Sequence, residues 1–160
     1  MPNRPVSPRR AIAAGLLAAL LIAGCGSDAN DEAPAACLAT NQGYLRALET
    51  APGEVRLAGT TPISSCLVAE QEAGQLANVG REMIVAATKL NAEARQDPQG
   101  AASVQLGYLL GAVAKGADAI HTDLVRRLNS AARFTETGGA QPAGFERAFG
   151  RGYAAGQRSG

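Results

Sequence analysis

A long helical pattern, interrupted once by a compact turn, constrains the fold of this chain more than any other feature. Apolar side chains recur in alternating steps of three and four along its first half: Leu76, Val79, Met83, Ala86 and Leu90. Such a seam is typical of helices packed in a bundle. A second run has the same helical spacing: Leu106, Leu110, Val113, Ala117, Ile120, Leu124 and Leu128. The pattern predicts one helix over about 64–95 and another over about 101–133.

The segment Asp97-Pro98-Gln99-Gly100 between the two runs has the composition of a tight turn. A connection this short makes the flanking helices antiparallel neighbours. The sequence therefore predicts an all-α fold, a small helical bundle built on one long antiparallel hairpin.

A shorter helix is expected before the hairpin, and an ambiguous segment follows it. Pro34 and Pro52-Gly53 bracket a helical pattern over about 35–50, and residues 51–63 read as a loop. Its apolar side is expected to carry Leu38, Leu45 and Leu48. Residues 35–135 would form the helical domain. The Gly-rich tail, 136–160, fits either a short amphipathic helix or a frayed end; its aromatic residues Phe145, Phe149 and Tyr153 are four residues apart.

The N-terminal segment has the layout of a secretory signal. Arg4, Arg9 and Arg10 precede an uncharged, mostly apolar run over residues 11–24. The run ends at Ile22-Ala23-Gly24-Cys25, which resembles the lipobox of bacterial lipoprotein precursors. An uncleaved membrane anchor is the alternative, but a helical span needs about 20 residues.

The resemblance implies a lipid anchor and a cellular location. Residues 1–24 would be a signal peptide that is cleaved before Cys25, with Ile22, Ala23 and Gly24 as its recognition residues. Cys25 would carry diacylglycerol on its thiol and an acyl chain such as palmitate on its amine, and no other cofactor is expected. Residues 25–34 would form a flexible acidic tether. The protein would be held on the extracytoplasmic face of the cell membrane or the outer membrane.

The charge of the mature chain argues against nucleic acid as a partner. The signal contains three of the 15 basic residues and none of the 14 acidic ones, so twelve basic groups face 14 acidic groups after cleavage. A net charge of 12 − 14 = −2 is unlike the basic surface that nucleic-acid binding requires. The membrane, through the anchor, and an envelope protein or cell-wall component are the expected partners.

Cys37 and Cys66 remain after lipidation of Cys25. In an oxidising compartment we expect them to form a disulfide that closes a loop of about 30 residues. Two free thiols are one alternative. A redox pair is another, although redox pairs favour Cys-x-x-Cys spacing.

His121 is the single histidine, and Asp118 precedes it by three residues. Helical di-metal centres use Glu-x-x-His, but in two copies and with two further carboxylates. A zinc site would need more ligands than this chain has to offer. We therefore expect a boundary histidine paired with Asp118 or Asp123, and we expect no metal.

Catalysis is not expected from the sequence. No Gly-x-Ser-x-Gly motif occurs, and the glutamates of the second helix have the spacing of a solvated face. The chain is therefore predicted not to be an enzyme, with no catalytic residues.

Two sets of residues are candidates for partner binding. Gly107 and Gly111 would let another helix approach closely, either within the molecule, against helix 35–50 or 64–95, or from a partner. A basic cluster could face anionic lipid or cell-wall polymer, or could be a solvated helix end; it consists of Arg126, Arg127 and Arg133, joined by Arg147 and Arg151 if the tail folds back.

Three functions are compatible with these features. The first is a non-catalytic interaction or structural module of the cell envelope. The second is a carrier of a small ligand or lipid, with an apolar cavity beside the Gly-rich helix. The third, a metal-dependent enzyme around Asp118 and His121, has the least support.

Overall fold

The computed structural model describes residues 32–134 and 140–160. Ile22, Ala23, Gly24, Cys25 and most of the tether lie outside these residues, as does part of the Gly-rich tail. The described part is all-α, as predicted, and its five α-helices run as follows: α1 Asn41–Leu48, α2 Ala73–Gln96, α3 Ala101–Gly116, α4 Thr122–Ala131 and α5 Ala143–Ser159. Three 3₁₀ helices accompany them: Ala35–Leu38, Ile63–Cys66 and Ala119–His121.

The α2–α3 hairpin is present, with its turn at the predicted residues. The Gly100 amide donates to the Asp97 carbonyl at 3.0 Å, and the Ser103 hydroxyl donates to the Pro98 carbonyl at 2.9 Å. These two bonds stabilise the turn and start α3 directly after it.

The first arm of the hairpin is shorter than predicted. Instead of starting near residue 64, α2 starts at Ala73, because the extended Glu72 accepts hydrogen bonds from the Gly74 and Gln75 amides and caps the helix. The residues that precede it contain only the 3₁₀ turn Ile63–Cys66 and non-helical chain.

The second arm is two helices rather than one over 101–133. Ala117 is extended, and α3 ends at Gly116, where a Cβ would collide with the Ser64 carbonyl. Asp118 then caps the next turn: its carboxylate accepts from the Ile120 amide at 3.1 Å, while its own amide donates to His121 Nδ1 at 3.1 Å. This capping box redirects the chain, and α4 packs back against α2, where Leu124 contacts Gly80.

The predicted helix 35–50 is also divided. A 3₁₀ turn, Ala35–Leu38, is separated from α1 by the extended Thr40. The break takes Leu38 out of register with Leu48, so Leu48 is fully buried while Leu38 is 57% exposed. The expectation that Leu38 belongs to the buried side was therefore wrong.

The C-terminal segment forms α5, a 17-residue helix, so the helical alternative for the tail is correct. This helix lies parallel to α3, with Val104 against Gly152 and Tyr108 against Gly156. A row of aromatic rings runs along it from Phe134 at the end of the preceding segment; the row continues with Phe145, Phe149 and Tyr153. Within the described residues, no helix has the length and apolar character needed to cross a bilayer.

Candidate functional site

The disulfide predicted between Cys37 and Cys66 is present. The two Cα atoms are 5.3 Å apart, and both cysteines are fully buried. The bond joins the 3₁₀ turn that precedes α1 to the 3₁₀ turn that precedes α2. The alternative of two free thiols therefore does not describe this structure.

Tyr44 supports the same turn from α1. Its hydroxyl is buried and donates to the Cys37 carbonyl at 2.8 Å. Burial, reinforced by the negative charge of Glu82, raises the pKa of the Tyr44 phenol above its ordinary value. The phenol therefore stays neutral and remains a donor over the physiological pH range.

His121 is fully buried, not on a boundary, and it is part of a polar network. Its Nδ1 accepts from the Asp118 amide at 3.1 Å and lies 3.0 Å from the Asp118 carboxylate, so Asp118, not Asp123, is its neighbour. Its Nε2 lies 3.4 Å from Oε1 of Gln71, whose amide nitrogen donates to the Cys66 carbonyl at 3.2 Å. Because the amide oxygen of Gln71 can only accept, Nε2 is the donor in this contact.

These contacts make His121 a structural residue in this arrangement. In residues 32–134 and 140–160, no group of three or more His, Cys, Asp or Glu side chains is placed to hold a metal ion. The network instead links the disulfide, through Gln71, to the turn that starts α4.

Gly107 and Gly111 lie in the interface between α3 and α5. A Cβ at Gly107 would collide with the Phe149 carbonyl, and one at Gly111 with the Tyr153 carbonyl. The chain's own C-terminal helix thus fills the face that the two glycines open. The packing is intramolecular, but its partner is neither of the two helices named from the sequence.

The arginines of the predicted basic cluster have different surroundings. Arg126 pairs with Asp123 on α4, and this hydrogen bond lowers the pKa of the Asp123 carboxyl. Arg133 lies beyond α4, where its carbonyl accepts from Asn91 at 2.8 Å. Arg127 lines a cleft between α4 and α2. Arg147 and Arg151 are exposed on α5.

The largest apolar side chains exposed in the described residues are Leu38 and Ile120, at 57% and 46%. Each sits in a 3₁₀ turn beside a fully buried residue, Cys37 in one turn and His121 in the other. The inward direction of those neighbours turns Leu38 and Ile120 outward. Their spacing alone predicts buried positions for both, because the two helix breaks do not interrupt the apolar pattern.

Leu38 and Ile120 flank the outer surface of α2. A cleft of about 340 Å³ separates Leu38 from this helix, and one of about 230 Å³ lies beside Ile120; Arg81 lines both. Four exposed residues of α2 line these clefts: Ala73, Ala77, Asn78 and Arg81. We call these four residues, together with Leu38 and Ile120, the α2 face.

The α2 face carries little free charge. Arg81 contacts Glu82 at 3.3 Å and donates to Asn78 at 3.3 Å. Glu82 accepts from the side chain and the backbone amide of Asn41, and these bonds lower the pKa of its carboxyl. The surface is therefore weakly polar, with two apolar side chains at its edges.

Ala33, at the end of the segment predicted to be a tether, contacts the domain at one edge of this face. Ala33 is buried, and its amide donates to Gln75 Oε1 at 2.9 Å in the first turn of α2. The chain is thus fixed to the domain from Ala33 onward.

Comparison with known proteins gives no assignment: no family model matches the chain, and neither curated proteins nor solved structures provide a match.

Proposed function

We propose that this chain is a lipid-anchored extracytoplasmic lipoprotein whose helical domain is a non-catalytic interaction module of the cell envelope. The observation that carries the proposal is the lipobox-like Ile22-Ala23-Gly24-Cys25, followed closely by a domain with a buried disulfide. A disulfide favours an oxidising compartment, which is where a lipobox would deliver the chain.

The surface of the domain supports interaction rather than chemistry. The one histidine is enclosed by Gln71 and Asp118, and the cysteines Cys37 and Cys66 are joined. The α2 face offers exposed apolar side chains on rigid supports. Such residues contribute to binding when a partner removes them from water.

The intact mass of protein extracted from its native membrane tests the anchor. We expect the mass of Cys25 to Gly160 plus acyl chains, less two hydrogens for the disulfide. A Cys25→Ser variant should leave the membrane fraction without acyl mass. An unprocessed chain, or a mature chain without lipid on Cys25, would contradict the proposal.

Photo-crosslinking in living cells tests the interaction. A photoreactive residue at position 38 or 120 should label an envelope component more than the same residue at Arg151, which is exposed on α5. Equal labelling at all three positions would argue that the α2 face is an ordinary surface.

A second candidate, a small-ligand or lipid carrier, is favoured by one observation. A cleft of about 580 Å³ lies between the first 3₁₀ turn, α1 and the loop that follows it. Alanines and Leu38 and Leu57 line it, together with Arg46 and Arg56, a combination that suits an apolar anion. Native mass spectrometry of the extracted protein should then show a mass that is lost on denaturation, and a single mass under both conditions would exclude this function.

A further inference from the structure

We propose that the partner of the α2 face is the bilayer that holds Cys25, with Leu38 and Ile120 inserted among the lipid headgroups. This inference rests on the proposed lipid anchor. It adds an orientation of the domain on the membrane, which an anchor alone does not specify.

The length of the segment between Cys25 and the domain limits how far the domain can lie from the membrane. Ala33 is eight residues from Cys25, and eight residues span at most roughly 28 Å when fully extended. Because the Ala33 amide is bonded to Gln75, the segment between the anchor and the domain extends no further along the chain than Ala33. In an anchored chain, the first turn of α2 therefore stays within roughly 28 Å of the lipidated residue, so this end of the domain is the one tied to the membrane.

The two exposed apolar side chains lie on the side of the domain to which this segment is attached. Leu38 lies five residues beyond Ala33, on the same side of α2 as Gln75, and Ile120 lies across the helix. The side of the domain where the N-terminal segment is attached thus exposes the two large apolar residues of the described surface. Contact with lipid would remove both from water at once.

The two turns that carry these side chains are held in place by the fold. The disulfide holds the turn of Leu38, and the capping box holds the turn of Ile120. Gln71 connects these supports through Cys66 and His121. Because the supports are already rigid, docking need not order these turns, so little conformational entropy is lost.

The charges of the face allow this contact without requiring anionic lipid. Arg81 within the α2 face and Arg127 in the cleft beside Ile120 can reach phosphate groups by extending their side chains, and Asp123 lines the same cleft as Arg127. The neighbouring carboxylates of Glu72 and Glu82 are bonded to backbone or side-chain donors. We therefore expect docking on zwitterionic vesicles.

The chain has no Trp, so single Trp variants report one position each. We would reconstitute lipid-anchored Leu38→Trp, Ile120→Trp and Arg151→Trp proteins in phosphatidylcholine vesicles that contain brominated phosphatidylcholine. The Leu38→Trp and Ile120→Trp proteins should lose most of their emission relative to unbrominated vesicles, and the Arg151→Trp protein should lose little. Far-UV circular dichroism and the intact acylated mass are recorded for each variant.

The outcomes separate this inference from the proposed function. Acylated, folded Leu38→Trp and Ile120→Trp proteins whose emission is unquenched would overturn the orientation and leave the lipoprotein proposal intact. Equal quenching in all three variants would overturn it too, because no face would then be selected. Protein labelling from positions 38 and 120 in cells, without quenching in vesicles, would assign the face to a protein partner instead. A protein without acyl mass would overturn both proposals.

Discussion

Gly107 on α3 faces the backbone carbonyl of Phe149 on α5 so closely that no Cβ can be placed between them. The relationship is reciprocal, since Gly152 on α5 has the same relationship with the Val104 carbonyl on α3. The two helices therefore meet backbone to backbone, and the Gly-rich C-terminal segment is part of the fold.

Substitution of Gly107 tests this contact. We expect Gly107→Ala to destabilise the protein by about 1–3 kcal/mol, because the added methyl group forces the two helices apart. Urea unfolding followed by circular dichroism measures the change. Gly150→Ala is the matched control, since nothing lies within 4 Å of a Cβ there. It should stabilise α5 by about 0.5–1 kcal/mol, and a comparable loss in both variants would refute the contact.

Removal of the disulfide should weaken the domain. In a mature chain with Cys25→Ser, we expect Cys37→Ala/Cys66→Ala to lower the free energy of unfolding by roughly 3–4 kcal/mol, the value for a loop of about 30 residues. Urea titrations with and without reductant make the comparison. Reductant should lower the midpoint of the parent chain and leave that of the double variant unchanged; a parent chain insensitive to reductant would contradict the role of the bond.

The hydroxyl of Tyr44 should contribute to the free energy of unfolding, although Tyr44 lies on a short helix. We expect Tyr44→Phe to cost about 1–3 kcal/mol, because the Cys37 carbonyl loses its buried donor. Tyr153→Phe, in a half-buried residue of α5, should stay within about 0.5 kcal/mol of the parent. Equal effects of the two substitutions in chemical unfolding would show that the bond to Cys37 contributes nothing.

The raised pKa of Tyr44 predicts a loss of stability in alkali. The unfolded phenol releases its proton near its ordinary pKa of about 10, while the folded phenol keeps it, so the unfolded state gains stability as pH rises. The contribution from Tyr44 should fall by about 1.4 kcal/mol per pH unit above that value. The stability advantage of the parent over Tyr44→Phe should therefore shrink between about pH 10 and 11; a constant difference would argue against the shift.

The lowered pKa of Glu82 predicts a loss of stability in acid. Hydrogen bonds from Asn41 lower the pKa of its folded carboxyl, so its contribution is present above the pKa of the unfolded chain and is lost as pH falls through the folded pKa. Glu82→Gln should be less stable than the parent at neutral pH and should approach it in acid. Thermal unfolding across acidic pH follows the difference, with Glu93→Gln as a control on the same helix.

The hairpin could be predicted because its signals are local. The apolar steps through Met83 and Leu90 and the turn at 97–100 depend only on neighbouring residues. The spacing of Asp118 and His121 is also informative, but it is compatible with two structures. This spacing places two groups on one face of a continuous helix. It also occurs where a residue caps the start of a new helix, and that second interpretation predicts the break between α3 and α4.

The surface around Leu38 and Ile120 could not be predicted in the same way. By spacing, both residues belong to helical seams. Both are exposed because the adjacent residue is buried against a distant partner: Cys37 is bonded to Cys66, and His121 contacts Gln71. The same holds for the pairing of Gly107 with α5, which depends on a helix far along the chain. Contacts between distant residues leave no periodic trace in one sequence.

The position of the disulfide has a mechanical consequence. In a chain anchored at Cys25, a force that pulls the domain from the membrane enters at Ala33 and reaches Cys37 four residues later. There it passes across a covalent bond to Cys66, in the 3₁₀ turn that precedes α2, and bypasses α1 and its following loop. The domain can therefore be dragged or sheared by its anchor without the 28 residues between the cysteines being stretched.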